Sequence, residues 1–135
     1  MIEHMPRWQG LALLREIMRV LRPGGVVRFA TPDLKELVAD YQRGEKRGAA
    51  TAADAFMQIL ATYAERPGRR AASLSQRLFT APHQWLYDAE SLTLLFEEAG
   101  LVDVAARPFH DSALPDIDAL ESRDESLFVE GRAPA

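Results

Sequence analysis

The sequence predicts an α/β fold in which a small mixed sheet of about three strands carries helices on at least one face. Short β-branched runs alternate with longer stretches whose apolar residues recur at three- and four-residue steps, which is the pattern of strands and amphipathic helices. The last predicted strands, 101–107 and 126–130, have no long helix between them. We therefore expect these strands to be antiparallel.

The first part of the chain predicts a helix, a strand and a second helix. Apolar residues form one stripe over 7–21, and Pro23-Gly24-Gly25 ends that helix. A short apolar run over 26–31 predicts a strand that is buried on both faces. Asp33, with a glutamate three residues later, has the spacing of a capping box for a helix over 34–42.

The middle of the chain predicts a helical insertion over 43–80 within a single domain that covers 1–135. Apolar residues in helical register predict a helix over 52–65, and a further short helix is predicted over 73–79. After the insertion, Asp88 is a favourable N-cap for a helix over 89–99.

The C-terminal part of the chain is predicted to be mostly strand and polar connection. Between the strands at 101–107 and 126–130 lies a polar stretch with a helical turn near 117–122. The last residues, 133–135, are small and follow the final strand, so we expect them to fray.

Composition excludes several classes of function. The net charge of -4 gives no general attraction to nucleic acid or to an anionic membrane, so neither is expected as a partner. The chain has no cysteine, which excludes disulfides, thiolate catalysis and cysteine-based metal sites and is compatible with a cytoplasmic location. No apolar run approaches the roughly 20 residues that span a bilayer.

Several short segments stand out at or between the predicted elements, and their order is informative. They are Glu3-His4-Met5, Arg19-Val20-Leu21-Arg22-Pro23-Gly24-Gly25, Thr31-Pro32-Asp33-Leu34, His83-Gln84-Trp85-Leu86-Tyr87-Asp88, Glu97-Glu98-Ala99-Gly100-Leu101 and Glu125-Ser126-Leu127-Phe128-Val129-Glu130. In this order they resemble the C-terminal half of a class I S-adenosylmethionine (SAM)-dependent methyltransferase. The resemblance covers nearly the whole chain apart from the insertion.

The resemblance implies a partial Rossmann-like methyltransferase fold. On the family template, 26–31 corresponds to the fifth strand, 101–107 to the sixth and 126–130 to the seventh, with spatial order five, seven, six. The family's glycine-rich SAM-binding turn follows a strand and opens a helix, whereas Gly24-Gly25 precedes a strand. We therefore expect a truncated protein that lacks the cofactor-binding half and is not catalytic alone.

The resemblance also implies roles for residues near the first and second predicted helices. Glu3 and His4 fall where the family's fourth strand opens onto the cleft, which implies contact with SAM and a catalytic, general-base role for His4. Asp33 is implied as a contact for an acceptor hydroxyl or amine. From the residues alone, the preferred interpretation of Glu3-His4 is a polar pair that leads a helix at a frayed terminus. For Asp33 it is a helix cap, which the glutamate three residues later supports.

A connector with large aromatic residues supplies the remaining candidates. The resemblance implies His83 as a second catalytic residue, with Trp85 and Tyr87 as one wall of an acceptor pocket. The alternative is a core-anchoring connector in which His83 is hydrogen-bonded and the aromatic residues pack inward. No metal is expected, because His4, His83 and His110 lack the spacing of a ligand set.

The sequence is compatible with several functions. In the full-length family, the activity is SAM-dependent methyl transfer, here with a small-molecule acceptor. The alternatives are a non-catalytic dimerisation or partner-binding module and a protein that binds another small ligand behind Trp85 and Tyr87. We expect a homodimer through the exposed edge of the strand at 26–31 or through a bare apolar sheet face, with the helix at 52–64 contributing.

Overall fold

The structure, a computed structural model, describes residues 1–60 and 82–135. A short 3-10 turn at Ile2–His4 precedes the first helix. In chain order the other elements are α1 (Arg7–Val20), β1 (Val26–Pro32), α2 (Leu34–Arg43), α3 (Ala52–Leu60), α4 (Ala89–Glu98), β2 (Val102–Ala106), α5 (Ile117–Leu120) and β3 (Ser126–Arg132). The predicted elements in this part of the chain are confirmed, with small differences at their ends. The predicted helix at 73–79 and the end of the one at 52–65 lie outside the described residues.

The chain divides into two compact units. The first consists of Met1–Leu34 and Trp85–Ala135, and it contains the sheet together with α1 and α4. The second unit is Lys35–Gln84, which contains α3 and nearly all of α2. The predicted insertion at 43–80 falls within the second unit.

The sheet has the strand order β1-β3-β2, and β3 is antiparallel to both neighbours. The prediction of an antiparallel final pair is therefore confirmed, and the order matches strands five, seven and six of the family template. The β1–β3 ladder is continuous from Val26 opposite Arg132 to Pro32 opposite Ser126. The β2–β3 ladder is irregular between Val102 and Ala105, and Asp103 there has φ 53°.

One face of the sheet packs against α1 and α4 and forms the hydrophobic core. Phe96 of α4 meets Phe29 of β1 edge to face, with the ring centroids 5.8 Å apart. Gly131 of β3 is buried against the same ring, and a Cβ there would lie only 3.1 Å from Phe96, which favours glycine at this position. At the start of α4, the Asp88 carboxylate accepts the Ser91 N–H at 2.8 Å, so the predicted N-cap is confirmed.

The opposite face of the sheet is covered in part by residues 108–121, which we call the crossing segment. Arg28 of β1 donates to the backbone carbonyls of Pro108 and Asp111 at 2.9 and 2.8 Å. The ring of Phe128 is buried there, 5.8 Å from the ring of Phe109. The expectation of a bare apolar face is therefore wrong for this part of the sheet, because a polar connection folds back over it.

The C-terminus differs from the prediction. Ala133 is buried, its N–H donates to the Gly25 carbonyl at 2.8 Å, and its carbonyl accepts the Gly24 N–H at 3.1 Å. These bonds extend the β1–β3 ladder beyond the ends of both strands, so the expected fraying at 133 does not occur. Within residues 1–60 and 82–135, no helix combines the length and apolar composition needed to cross a membrane.

Candidate functional site

The candidate site lies at the carboxyl end of β1, the edge at which open α/β sheets place their ligands. Asp33 follows the strand directly and forms a parallel bridge with Tyr87. The Leu34 N–H donates to the Tyr87 carbonyl at 2.8 Å. Residues 85–87, which we call the aromatic connector from here on, are thereby fixed beside the end of the strand.

The turn at Ile2–His4 joins the same place. The Trp85 N–H donates to the Glu3 carbonyl at 3.2 Å, so the connector is bonded to the turn as well as to β1. The Glu3 carboxylate is buried and accepts the Met1 amino group at 2.6 Å. Its other oxygen lies 3.5 Å from His4 Nε2. These contacts place two of the predicted residues, Glu3 and His4, at this end of the sheet.

The electrostatic state of Glu3 follows from these contacts. Burial by itself would raise the pKa of the Glu3 carboxyl group. Hydrogen bonds from the amino terminus and from its own backbone, together with the nearby positive charges, outweigh burial and hold the pKa below its ordinary value. Glu3 is therefore an anion at neutral pH, despite its position in the interior.

Tyr87 and Trp85 have different environments although both belong to the predicted acceptor wall. Tyr87 is 0% exposed and lies in the core, whereas Trp85 is 45% exposed. The Tyr87 hydroxyl lies against α1, where a Cβ on Gly10 would be 3.0 Å from it. Among the described residues this hydroxyl has no hydrogen-bond partner, and burial raises its pKa. The geometry of Tyr87 fits the anchoring alternative, and a role in acceptor binding stays a prediction for both residues.

The structure thus brings together all the predicted site residues of the first unit: Glu3, His4, Asp33, Trp85 and Tyr87. His83 belongs to the second unit and is partly buried within the chain. Its proposed catalytic role stays a prediction, as do the general-base role of His4 and the capping role of Asp33.

The described residues do not fit the SAM site of the family. Gly24 and Gly25 lie between α1 and β1, where their N–H groups donate to the carbonyls of Ala133 and Arg22 at 3.1 and 2.8 Å. These donors are satisfied within the fold and are not directed at a ligand. The described connections that lead from a strand to a helix, at 33 and at 107–116, contain no glycine. A phosphate- or SAM-binding turn needs glycine there for close backbone approach.

Sequence reasoning missed a buried charge cluster on the other face of the sheet. The side chains of Arg28, Glu121 and Glu130 are only 3%, 9% and 6% exposed. Arg28 Nε donates to Glu121 Oε1 at 2.6 Å, and its Nη1 lies 3.6 Å from Glu130 Oε2. The available signal was an arginine in the middle of an otherwise apolar strand, which requires an acidic partner elsewhere in the chain.

The strand order, the helices packed on one face and the residues at the end of β1 define a partial Rossmann-like fold of the methyltransferase type. The family model described as a methyltransferase domain matches residues 1–106, and the chain belongs to this family. This match confirms the family that the ordered sequence segments indicated. None of the curated proteins compared with the chain matches it.

Proposed function

We propose that this chain supplies the acceptor-side half of a SAM-dependent methyltransferase that acts on a small molecule in the cytoplasm. The observation that carries the proposal is the convergence of the Ile2–His4 turn, Asp33 and the aromatic connector at the carboxyl end of β1. SAM is the cofactor that the family uses. Because the described residues do not fit a SAM site, we further propose that the chain does not transfer a methyl group alone.

Each proposed role uses a property of the side chain in its observed place. The half-exposed indole of Trp85 offers an apolar surface against which an acceptor would pack. Asp33 would accept a hydrogen bond from an acceptor hydroxyl or amine. His4 would take the proton that such an acceptor loses, with Glu3, 3.5 Å away, orienting its ring. His83 is the second candidate for this role as a base.

Calorimetric titration tests the claim about the cofactor. Adding SAM or S-adenosylhomocysteine to the purified 135-residue chain should give no binding heat at ligand concentrations of about 1 mM. The reason is that neither Gly24 nor Gly25 has a free N–H to offer, and no other described glycine follows a strand into a helix.

If SAM or S-adenosylhomocysteine does bind, two variants show where the site lies. Micromolar binding that is weakened by Glu3→Gln but not by the exposed Glu125→Gln would place a cofactor site at the Ile2–His4 turn. The chain would then have to be regarded as a complete methyltransferase, and the acceptor-side proposal would fail.

A second candidate function, a dimerisation module, is favoured by one feature of the sheet. In the described part of the chain, β1 pairs with β3 along one edge and has no strand on the other. This edge has a regular seven-residue backbone, whereas the opposite edge, β2, is interrupted at Asp103. Regular unpaired edges favour strand addition, and interrupted ones resist it. The occupant we propose is β1 of a second copy.

Sedimentation measurements on paired lysine variants test the dimer. The chain should sediment as a homodimer at concentrations of about 10 μM. Ala30→Lys places a charge on an exposed position of β1 and should give a monomer, whereas Ala106→Lys on the exposed end of β2 should leave the dimer intact. A chain that is monomeric throughout, or a dimer that only Ala106→Lys dissociates, would contradict this assignment.

A further inference from the structure

The crossing segment carries a histidine whose two ring nitrogens both face oxygen acceptors. His110 Nδ1 lies 3.1 Å from Asp118 Oδ1, and Nε2 lies 3.2 Å from the Glu121 carbonyl oxygen. The ring also stacks on Phe109, with a centroid distance of 3.6 Å. These contacts join the start of the crossing segment to α5 and to Glu121, the residue directly after α5.

Both ring nitrogens can donate a hydrogen bond to these oxygens only when the ring is protonated. A neutral imidazole carries one N–H, so one of its nitrogens would direct a lone pair at an oxygen. The imidazolium carries an N–H at both nitrogens and can donate to the Asp118 carboxylate and to the Glu121 carbonyl together. Its charge also interacts favourably with the face of the Phe109 ring.

The other charged groups around His110 are largely compensated by one another. The carboxylate of Glu121 accepts the His110 backbone N–H at 3.1 Å, and Arg28 of β1 neutralises it. From β3, Glu130 lies beside the same guanidinium and accepts the Ser112 hydroxyl. Outside the cluster, Asp111 lies 3.9 Å from Arg107.

This leaves Asp118 as the carboxylate that acts directly on the ring. It comes from α5, its side chain is 81% exposed, and His110 is its ion-pair partner within the described residues. Because Asp118 belongs to α5 and His110 to the start of the crossing segment, their contact depends on how the segment is folded.

We propose that His110 is a pH-operated latch, whose protonated ring holds α5 against the start of the crossing segment and whose deprotonation releases α5. This regulatory device is separate from the methyltransferase proposal, because it lies on the other face of the sheet from the core. The latch is closed while His110 is protonated and Asp118 ionised. It therefore opens when the pH is raised enough to remove the proton that the ring shares between its two acceptors. Arg28 keeps the rest of the segment in place when the latch opens.

Nuclear magnetic resonance of the full 135-residue chain tests the latch. While the latch is closed, the nitrogen shifts of the His110 ring should show both nitrogens protonated. The amides of Ala119 and Glu121 donate within the α5 region, to Asp116 and Ile117. Their exchange with water, corrected for the intrinsic effect of pH, should be about tenfold faster at about pH 8 than at pH 6.

Matched variants separate a latch from general loosening of the segment. His110→Asn keeps a residue that tolerates the local φ of 61° but removes the ring, and it should make α5 exchange fast at both pH values. Asp118→Asn should weaken the pH response, while Asp116→Asn, an exposed neighbour, should not. Equal corrected exchange at both pH values in the wild-type chain, or an unchanged pH response in His110→Asn, would overturn the proposal.

Discussion

Replacing Arg28 with methionine should destabilise the chain by about 3–5 kcal/mol, the cost of leaving buried carboxylates without their counter-charge. Glu121 and Glu130 would lose their cationic partner in a place where water cannot replace it. The crossing segment would also lose the donors to its carbonyls at Pro108 and Asp111. Urea unfolding gives the free energy, and a midpoint that falls without a change of slope would show that the denatured state is unaffected.

Two comparisons make this experiment specific. Arg15→Met on the exposed side of α1 changes the same side chain without burial and should alter stability by no more than about 0.5 kcal/mol. Adding Glu121→Gln to Arg28→Met should recover part of the loss, because one uncompensated charge is removed. An Arg28→Met chain as stable as the wild type would show that the cluster does not hold the crossing segment.

The same cluster predicts how stability depends on acid. Burial would raise the pKa of Glu121, but the Arg28 guanidinium and the His110 backbone N–H outweigh it and hold the pKa below its ordinary value. A group whose pKa is lower in the folded state contributes stability at neutral pH and loses it as the pH falls through that folded value. This contribution should therefore be lost as the pH falls below the ordinary titration range of a glutamate, and it should be absent in Arg28→Met.

Replacing Tyr87 with alanine should cost about 3–5 kcal/mol, the usual range for a fully buried aromatic side chain. Tyr87 is enclosed in the core beside Ile2 and Gly10, and its backbone bonds the connector to the end of β1. Trp85→Ala, two residues away, is the matched comparison. Because Trp85 is 45% exposed, its replacement should cost less than about 1 kcal/mol.

The Tyr87→Phe variant isolates the hydroxyl. Since this group has no hydrogen-bond partner among the described residues, its removal should leave stability unchanged or slightly higher. A loss of more than about 1 kcal/mol would mean that the hydroxyl is bonded to water or to a ligand in solution. Thermal or urea unfolding of the three variants, measured together, distinguishes a structural Tyr87 from one that serves a binding site.

Local signals predicted the elements because each depends on neighbouring residues. The apolar run of β1, the Pro23-Gly24-Gly25 turn and the Asp88 cap are all of this kind, and the ordered segments predicted the strand order. The charge cluster was missed because Arg28 and Glu121 are 93 positions apart. Periodicity describes which side of an element is apolar, and it contains no information on what a polar connection packs against.

The candidate site was predictable to a similar degree. The order of the segments indicated that Glu3, Asp33 and the connector belong near the end of β1, and the backbone bonds place them there. The different burial of Trp85 and Tyr87 was not predictable, because residues two apart in an extended segment would face the same side. The connector departs from this alternation because it is bonded to the turn at Glu3 and to Leu34 rather than to a continuous strand.

The pairing of β1 with β3 has a consequence for synthesis of the protein. Val26 is opposite Arg132 and Pro32 is opposite Ser126, so β1 gains this neighbour only after about one hundred further residues have been added. At ordinary translation rates that interval is roughly 5–20 seconds. During this time the edge of β1 that β3 occupies in the folded chain lacks this partner and can pair with other nascent chains or bind chaperones. Ribosome-associated aggregation is therefore a hazard that the order of the strands along the chain creates.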